Sequence, residues 1–161
     1  MKIDSNEIKS IASFSVDHDL ILPGIYVSRI DGDITTYDMR TRRPNGGDYM
    51  DNVTMHSVEH MFATLVRNSE IGDRVIYFGP MGCRTGFYLL VRDADNREVL
   101  SVVKEVLERI ADRERVMYGA SRVECGNYLE LDLDAAKAEA RRYLEVLNSC
   151  DVTFIYPEVK A

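Results

Sequence analysis

Between residues 53 and 69 the apolar positions keep a helical period, and the helix has a second face of a different kind. Val58, Met61, Phe62 and Leu65 project from one side, the spacing of a core-facing stripe. At about 100° per residue, His56, Glu59, His60, Ala63 and Arg67 share another side. Asp51, Asn52 and Thr54 stand just upstream, where a helix takes its N-cap. The pattern predicts a helix with one greasy face and one face carrying two imidazoles, a carboxylate and a guanidinium.

Elsewhere the period shortens to two. Gly24–Ile30 and Ile34–Arg40 read as strands around Asp31-Gly32-Asp33, a tight hairpin signal. Arg74–Phe78 and Phe87–Arg92 are dense in β-branched and aromatic residues and form a second pair. The segment from Gly79 to Gly86, Gly-Pro-Met-Gly-Cys-Arg-Thr-Gly, is the loop between them. Asp95 or Asn96 caps an amphipathic helix running to Arg113, with Val99, Val102, Val103, Val106 and Ile110 as its stripe. Asp132 or Asp134 starts a last helix to Asn148. A short helix over 4–12 and a terminal strand over Val152–Tyr156 complete the expected elements. Antiparallel hairpins with separate long helices make an α+β sandwich, a mainly antiparallel sheet covered by helices, as one domain over 1–161.

Charge narrows the partners. The 161 residues carry a formal charge of −7, which repels nucleic acid and anionic membrane alike. No apolar run approaches the ~20 residues that span a bilayer. The N-terminus lacks the apolar core of a signal peptide, so a cytoplasmic location is expected. Three cysteines are an odd number in a domain too large to depend on staples, which favours thiol chemistry or ligation over disulfides.

Candidate chemistry starts from His56-Ser57-Val58-Glu59-His60. Imidazoles at i and i+4 can reach one cation, and an adjacent Glu can handle protons at a bound ligand. Cys125, before Gly126 in an aperiodic stretch, can supply a third ligand and leave one position open, the pattern of a catalytic site. Such a donor set suits Zn²⁺ or Fe²⁺ and disfavours Mg²⁺ or Ca²⁺. Cys83 sits in a glycine-flanked loop rich in backbone N–H donors, with Arg84 beside it to favour a thiolate. Cys150 has no such company and reads as structural. On these residues alone a metal site with one open, catalytic position stands beside two rival readings, an HxxEH metallopeptidase of the inverzincin kind and a non-catalytic module stapled by metal.

The HxxEH helix, Pro80-Met81-Gly82-Cys83-Arg84-Thr85-Gly86-Phe87-Tyr88-Leu89 and Cys125-Gly126 resemble, in order and spacing, the LuxS family of S-ribosylhomocysteine lyases. Ser13-Phe14, Asp17-His18, Asp38-Met39-Arg40, Pro44-Asn45 and Arg67 extend the likeness over roughly 12–147. The resemblance implies that His56, His60 and Cys125 hold one divalent metal, Fe²⁺ natively, with Zn²⁺ or Co²⁺ able to substitute. It implies that Glu59 and Cys83 are the general acid/base residues and that Ser13, His18, Arg40 and Arg67 bind substrate. It further implies a homodimer whose pockets lie at the interface, each helped closed by the partner's N-terminal segment. The implied reaction moves a carbonyl along the ribose and then eliminates homocysteine, leaving 4,5-dihydroxy-2,3-pentanedione, the autoinducer-2 precursor. One departure is Tyr77, which stands where family members carry an Asp near the substrate.

Overall fold

The computed structural model describes residues 9–158. Four strands form one antiparallel sheet: β1 (Gly24–Asp31), β2 (Ile34–Arg40), β3 (Val75–Pro80) and β4 (Gly86–Arg92), in the order β1-β2-β4-β3. Three helices pack with it: α1 (Asn52–Arg67), α2 (Asn96–Glu108) and α3 (Leu133–Ser149). This is the α+β arrangement that the two periods predict.

The hairpin β1–β2 closes through Gly32, whose φ of 62° lies in the left-handed region that glycine enters without a steric penalty. Register then fixes the faces. Tyr37 and Met39 of β2 enter the core with Ile25, Phe78, Phe87, Leu89 and Val91, where they meet Val58, Met61, Phe62 and Leu65 of α1. Alternation sends Asp38 and Arg40 to the opposite face. Phe62, Phe78 and Phe87 stack in series, with centroid separations of 4.4 and 5.0 Å.

Each long helix is capped as its sequence suggests. The Asp51 carboxylate accepts from the Thr54 N–H at 2.7 Å, Asp95 accepts from Arg97 and Glu98, and Asp132 accepts from Asp134 and Ala135. Ser57, fully buried on α1, accepts the Asp132 N–H at 2.8 Å and so pins the start of α3 to α1. Arg42 grips Glu139 of α3 through Nε at 3.0 Å and Nη2 at 2.5 Å, with Glu139 only 4% exposed.

Three expected elements differ. The helix after Asp95 stays α-helical only to Glu108; Arg109–Arg113 widens into a π turn that keeps Ile110 and Ala111 buried while the chain leaves the sheet. The terminal strand shrinks to one parallel bridge between Phe154 and Tyr26, because Phe154 takes φ 63° and cannot continue an extended run. Of the helix expected over 4–12, residues 4–8 lie outside the described residues, and Lys9–Ile11 are not helical; a single 3₁₀ turn covers Ala12–Phe14. The loop holding Cys83 is also tighter than expected, since β3 extends through Pro80 and β4 begins at Gly86.

Candidate metal centre and thiol cleft

The imidazole face of α1 meets the aperiodic stretch before α3. Donor atoms of His56, His60 and Cys125 lie within 4.8 Å of one another, and all three side chains are half-buried. Cys125 Sγ sits 3.3 Å from His56 Nε2, and the two rings stand edge to face with centroids 4.7 Å apart. The remaining ring nitrogens are engaged from behind. His60 Nδ1 meets the Tyr118 carbonyl at 3.0 Å, which makes that nitrogen the protonated one and leaves Nε2 to face the cluster. His56 Nδ1 is 3.8 Å from Glu130 Oε2. The Asn127 N–H reaches the Cys125 sulfur at 3.4 Å.

Gly119 makes this approach possible. Its φ is +64°, and a Cβ there would stand 2.8 Å from His60 Nδ1. The donors fit a divalent transition metal: two imidazoles, that of His60 with its tautomer fixed, and a thiol, with Glu59, His18 and Cys83 outside the cluster. Glu59 is half-buried on the same helix, one residue before His60.

Cys83 occupies a second place. It lines a cleft of about 230 Å³ with His18, Pro44, Asn45, Tyr49 and Thr85. Its sulfur lies 3.0 Å from Thr85 Oγ1 and 3.9 Å from Arg40 Nη1. Thr85 Oγ1 already accepts from Arg40 Nη1 at 2.7 Å, so its own proton is free to point at the sulfur. Arg40 is 2% exposed and its charge is balanced by Asp38, which accepts from Nε at 3.0 Å and Nη2 at 2.6 Å. Burial works against that guanidinium's charge, but the Asp38 bonds outweigh it and hold the arginine above its ordinary range. The cation facing Cys83 is thus Arg40. Arg84, expected to play that part, has φ 63° and lays its guanidinium over the Tyr49 ring, 5.6 Å from the centroid, rather than bonding the sulfur.

The other expected substrate residues fall differently. His18 joins Cys83 in the cleft and its Nδ1 meets the Val16 carbonyl at 2.9 Å. Ser13 sits in the Ala12–Phe14 turn and is not among the cleft's lining. Arg67 is exposed at the end of α1 and donates to its own helix at Ala63 O, 3.1 Å. Residue reasoning passed over Thr85, Glu130, Asp38 and the Tyr118 carbonyl. Asp38 had a signal: with Arg40 it makes an i, i+2 pair of opposite charge on a strand. A carbonyl partner has none.

The family model described as S-ribosylhomocysteinase (LuxS) matches residues 11–153. The chain belongs to the LuxS family. It is 43% identical over 148 residues to the S-ribosylhomocysteine lyase of Borreliella burgdorferi (strain ZS7), covering 88% of this chain and 94% of that one. It is 42% identical over 158 residues to the lyase of Clostridium beijerinckii, covering 93% and 99%, and 43% identical over 157 residues to that of Finegoldia magna, covering 94% and 100%. As a LuxS protein the chain is an enzyme of the carbon–sulfur lyase class. The metallopeptidase reading of the same motif finds no support in these relatives.

Proposed function

We propose that this LuxS protein cleaves the thioether of S-ribosylhomocysteine, releasing homocysteine and 4,5-dihydroxy-2,3-pentanedione, the autoinducer-2 precursor, in the cytoplasm. The observation that carries the reading is the convergence of two imidazoles and a thiol within 4.8 Å, in a chain whose relatives bear that lyase's name. His56, His60 and Cys125 hold one divalent ion, Fe²⁺ natively, with Zn²⁺ or Co²⁺ able to take its place. The ion supplies Lewis acidity toward the sugar's carbonyl and hydroxyl oxygens.

The chain's own groups move the protons. A thioether carbon has a poor leaving group unless a carbanion can form beside it, so the carbonyl must first migrate along the ribose. Cys83, as thiolate, takes the proton from the second sugar carbon and returns it to the first, turning aldose into ketose. Glu59 does the same at the following carbons. It then draws the proton from the carbon next to the one bearing sulfur, and the C–S electron pair leaves with homocysteine. Arg40, Thr85 and His18 orient the sugar and the thiol. Each base ends in the protonation state in which it began and the last proton leaves on homocysteine, so the reaction consumes no oxidant or reductant.

The working pocket lies between two copies of the chain. None of His56, Glu59, His60 or Cys125 lines the cleft that holds Cys83. Ile11 and Phe14 stand 56% and 76% exposed, an apolar pair suited to cover by a second protomer. No helix among the described residues is long and apolar enough to cross a membrane. The decisive experiment incubates the purified, metal-loaded protein with S-ribosylhomocysteine and follows free thiol. Absence of thiol release at any metal loading rejects the reading, and a monomer mass by light scattering rejects the shared pocket.

A further inference from the structure

The face of the sheet turned away from the helices carries a buried charge, and the tail past α3 covers it. Register sets Tyr26, Asp38 and Tyr88 side by side across β1, β2 and β4. Asp38 is fully buried. Besides its two bonds from Arg40 it accepts a third from the Tyr156 hydroxyl, at 2.7 Å to Oδ2. The Tyr156 ring lies on the Tyr26 ring, with centroids 4.9 Å apart and planes within 17°. Val27 N–H donates to the Phe154 carbonyl at 2.8 Å, tying the tail to the edge strand just before this contact. Burial, then the charge of Asp38, push the Tyr156 hydroxyl well above its ordinary range, so it remains a donor at every physiological pH.

We propose that Tyr156 is a positioning residue for Cys83, its hydroxyl holding the Asp38–Arg40 pair so that the guanidinium faces the sulfur. This rests on the reading of Cys83 as the proton shuttle. Arg40 can favour a thiolate at 3.9 Å only to the extent that Asp38 does not cancel its charge. A third hydrogen bond draws negative charge off Asp38 and fixes the carboxylate away from the cleft. The other groups around Cys83 are Tyr88 of β4, His18 of the N-terminal segment, and Thr85, Tyr49 and Arg84 of the loops. None of them replaces this tie. Tyr156 lies beyond residue 153, where the match to the LuxS family model stops, so the contact reaches the thiol cleft from outside the matched span.

The test reads Cys83 without substrate. Metal-loaded full-length protein and its Tyr156→Phe variant are treated with iodoacetamide at neutral pH, and alkylation of the Cys83 peptide is timed by mass spectrometry. Cys83 is exposed in the single chain, and a dimer cleft that admits a ribosyl thioether also admits the smaller iodoacetamide, so access is the same for parent and variant. Tyr156→Phe should slow alkylation about three- to tenfold, less than the full worth of one hydrogen bond to a charged group because the effect reaches the sulfur only through Asp38 and Arg40. Melting curves taken alongside establish that both proteins are folded at the assay temperature, and Tyr156→His, which keeps a ring and a donor, should stay nearer the parent rate than Tyr156→Phe. A tie that only supports the fold would lower the melting temperature and leave the alkylation rate at the parent value. That result, or a faster rate, overturns the proposal. Homocysteine release by Cys83→Ala at the parent rate would remove the shuttle role and leave the alkylation result standing by itself.

Discussion

The two chemical centres of this LuxS protein are built in opposite ways. The Cys83 cleft stands on the ends of β2 and β4, and its cation is locked by a buried carboxylate two residues away on the same strand. The metal cluster instead joins α1 to a stretch with no regular element beyond a 3₁₀ turn, and its sulfur comes from 69 residues downstream. The thiol cleft is therefore organised by the fold itself. Under the proposed function the cluster relies on its ion to hold that loop, because three donors gathered without a cation give little of their own to keep it closed.

The largest effect should come from the groups proposed to move protons. Cys83→Ala and Glu59→Gln should each lower homocysteine release by about a hundredfold or more while elemental analysis still finds metal. Parent-rate release by either variant removes its assigned role. Next come the ligands: His56→Ala or Cys125→Ala should lose the metal, and chelation of the parent should do the same. In both cases amide exchange should rise across 114–131 while the strands and the alkylation rate of Cys83 hold. Equal loosening in both regions would erase the contrast drawn above.

A smaller effect is expected at Gly119. Its replacement by Ala strains a backbone at φ +64° and crowds His60 Nδ1 at 2.8 Å. Metal affinity should fall about tenfold, as for loss of a partner behind a ligating histidine, and an unchanged dissociation constant would show that the ring can shift freely. The smallest is at the cap of α1. Asp51→Ala should cost about 1 kcal/mol, read from thermal melts at neutral pH. The Thr54 N–H holds the Asp51 carboxyl below its ordinary value of 3.8. Its contribution is thus complete above that value and fades as pH falls through the lowered one. Parent and variant should converge in strong acid, and a gap that persists there would assign the loss to something other than the charged cap.

Legibility follows the range of the forces involved. The hairpin at Gly32, the strand β2 and the capped start of α1 depend on neighbours within a few residues, and period and turn chemistry expose them. The imidazole pair was visible for the same reason, being one turn apart. Cys125 could be matched to it only as a candidate or through family likeness, since nothing local in an aperiodic stretch says which surface it will meet. The rival cations at Cys83 were decided by a backbone angle: a left-handed Arg84 points at Tyr49, and Arg40, distant in sequence, faces the sulfur. Tyr156 is further still, 118 residues from the carboxylate it touches. Its hydroxyl looks like any other on the chain, and the strand expected there failed at Phe154.

The clasp between Arg42 and Glu139 carries a lesson about ancestry. With the acid 4% exposed and gripped by two nitrogens, losing the arginine strands a carboxylate away from water, and losing the acid leaves Arg42 with Asp48 alone. Swapping both for well-fitted aliphatic residues is tolerable, yet every single step toward that exchange passes through a crippled intermediate. Descendants of this chain should therefore keep the couple intact or lose it whole, and sequences caught halfway should be rare.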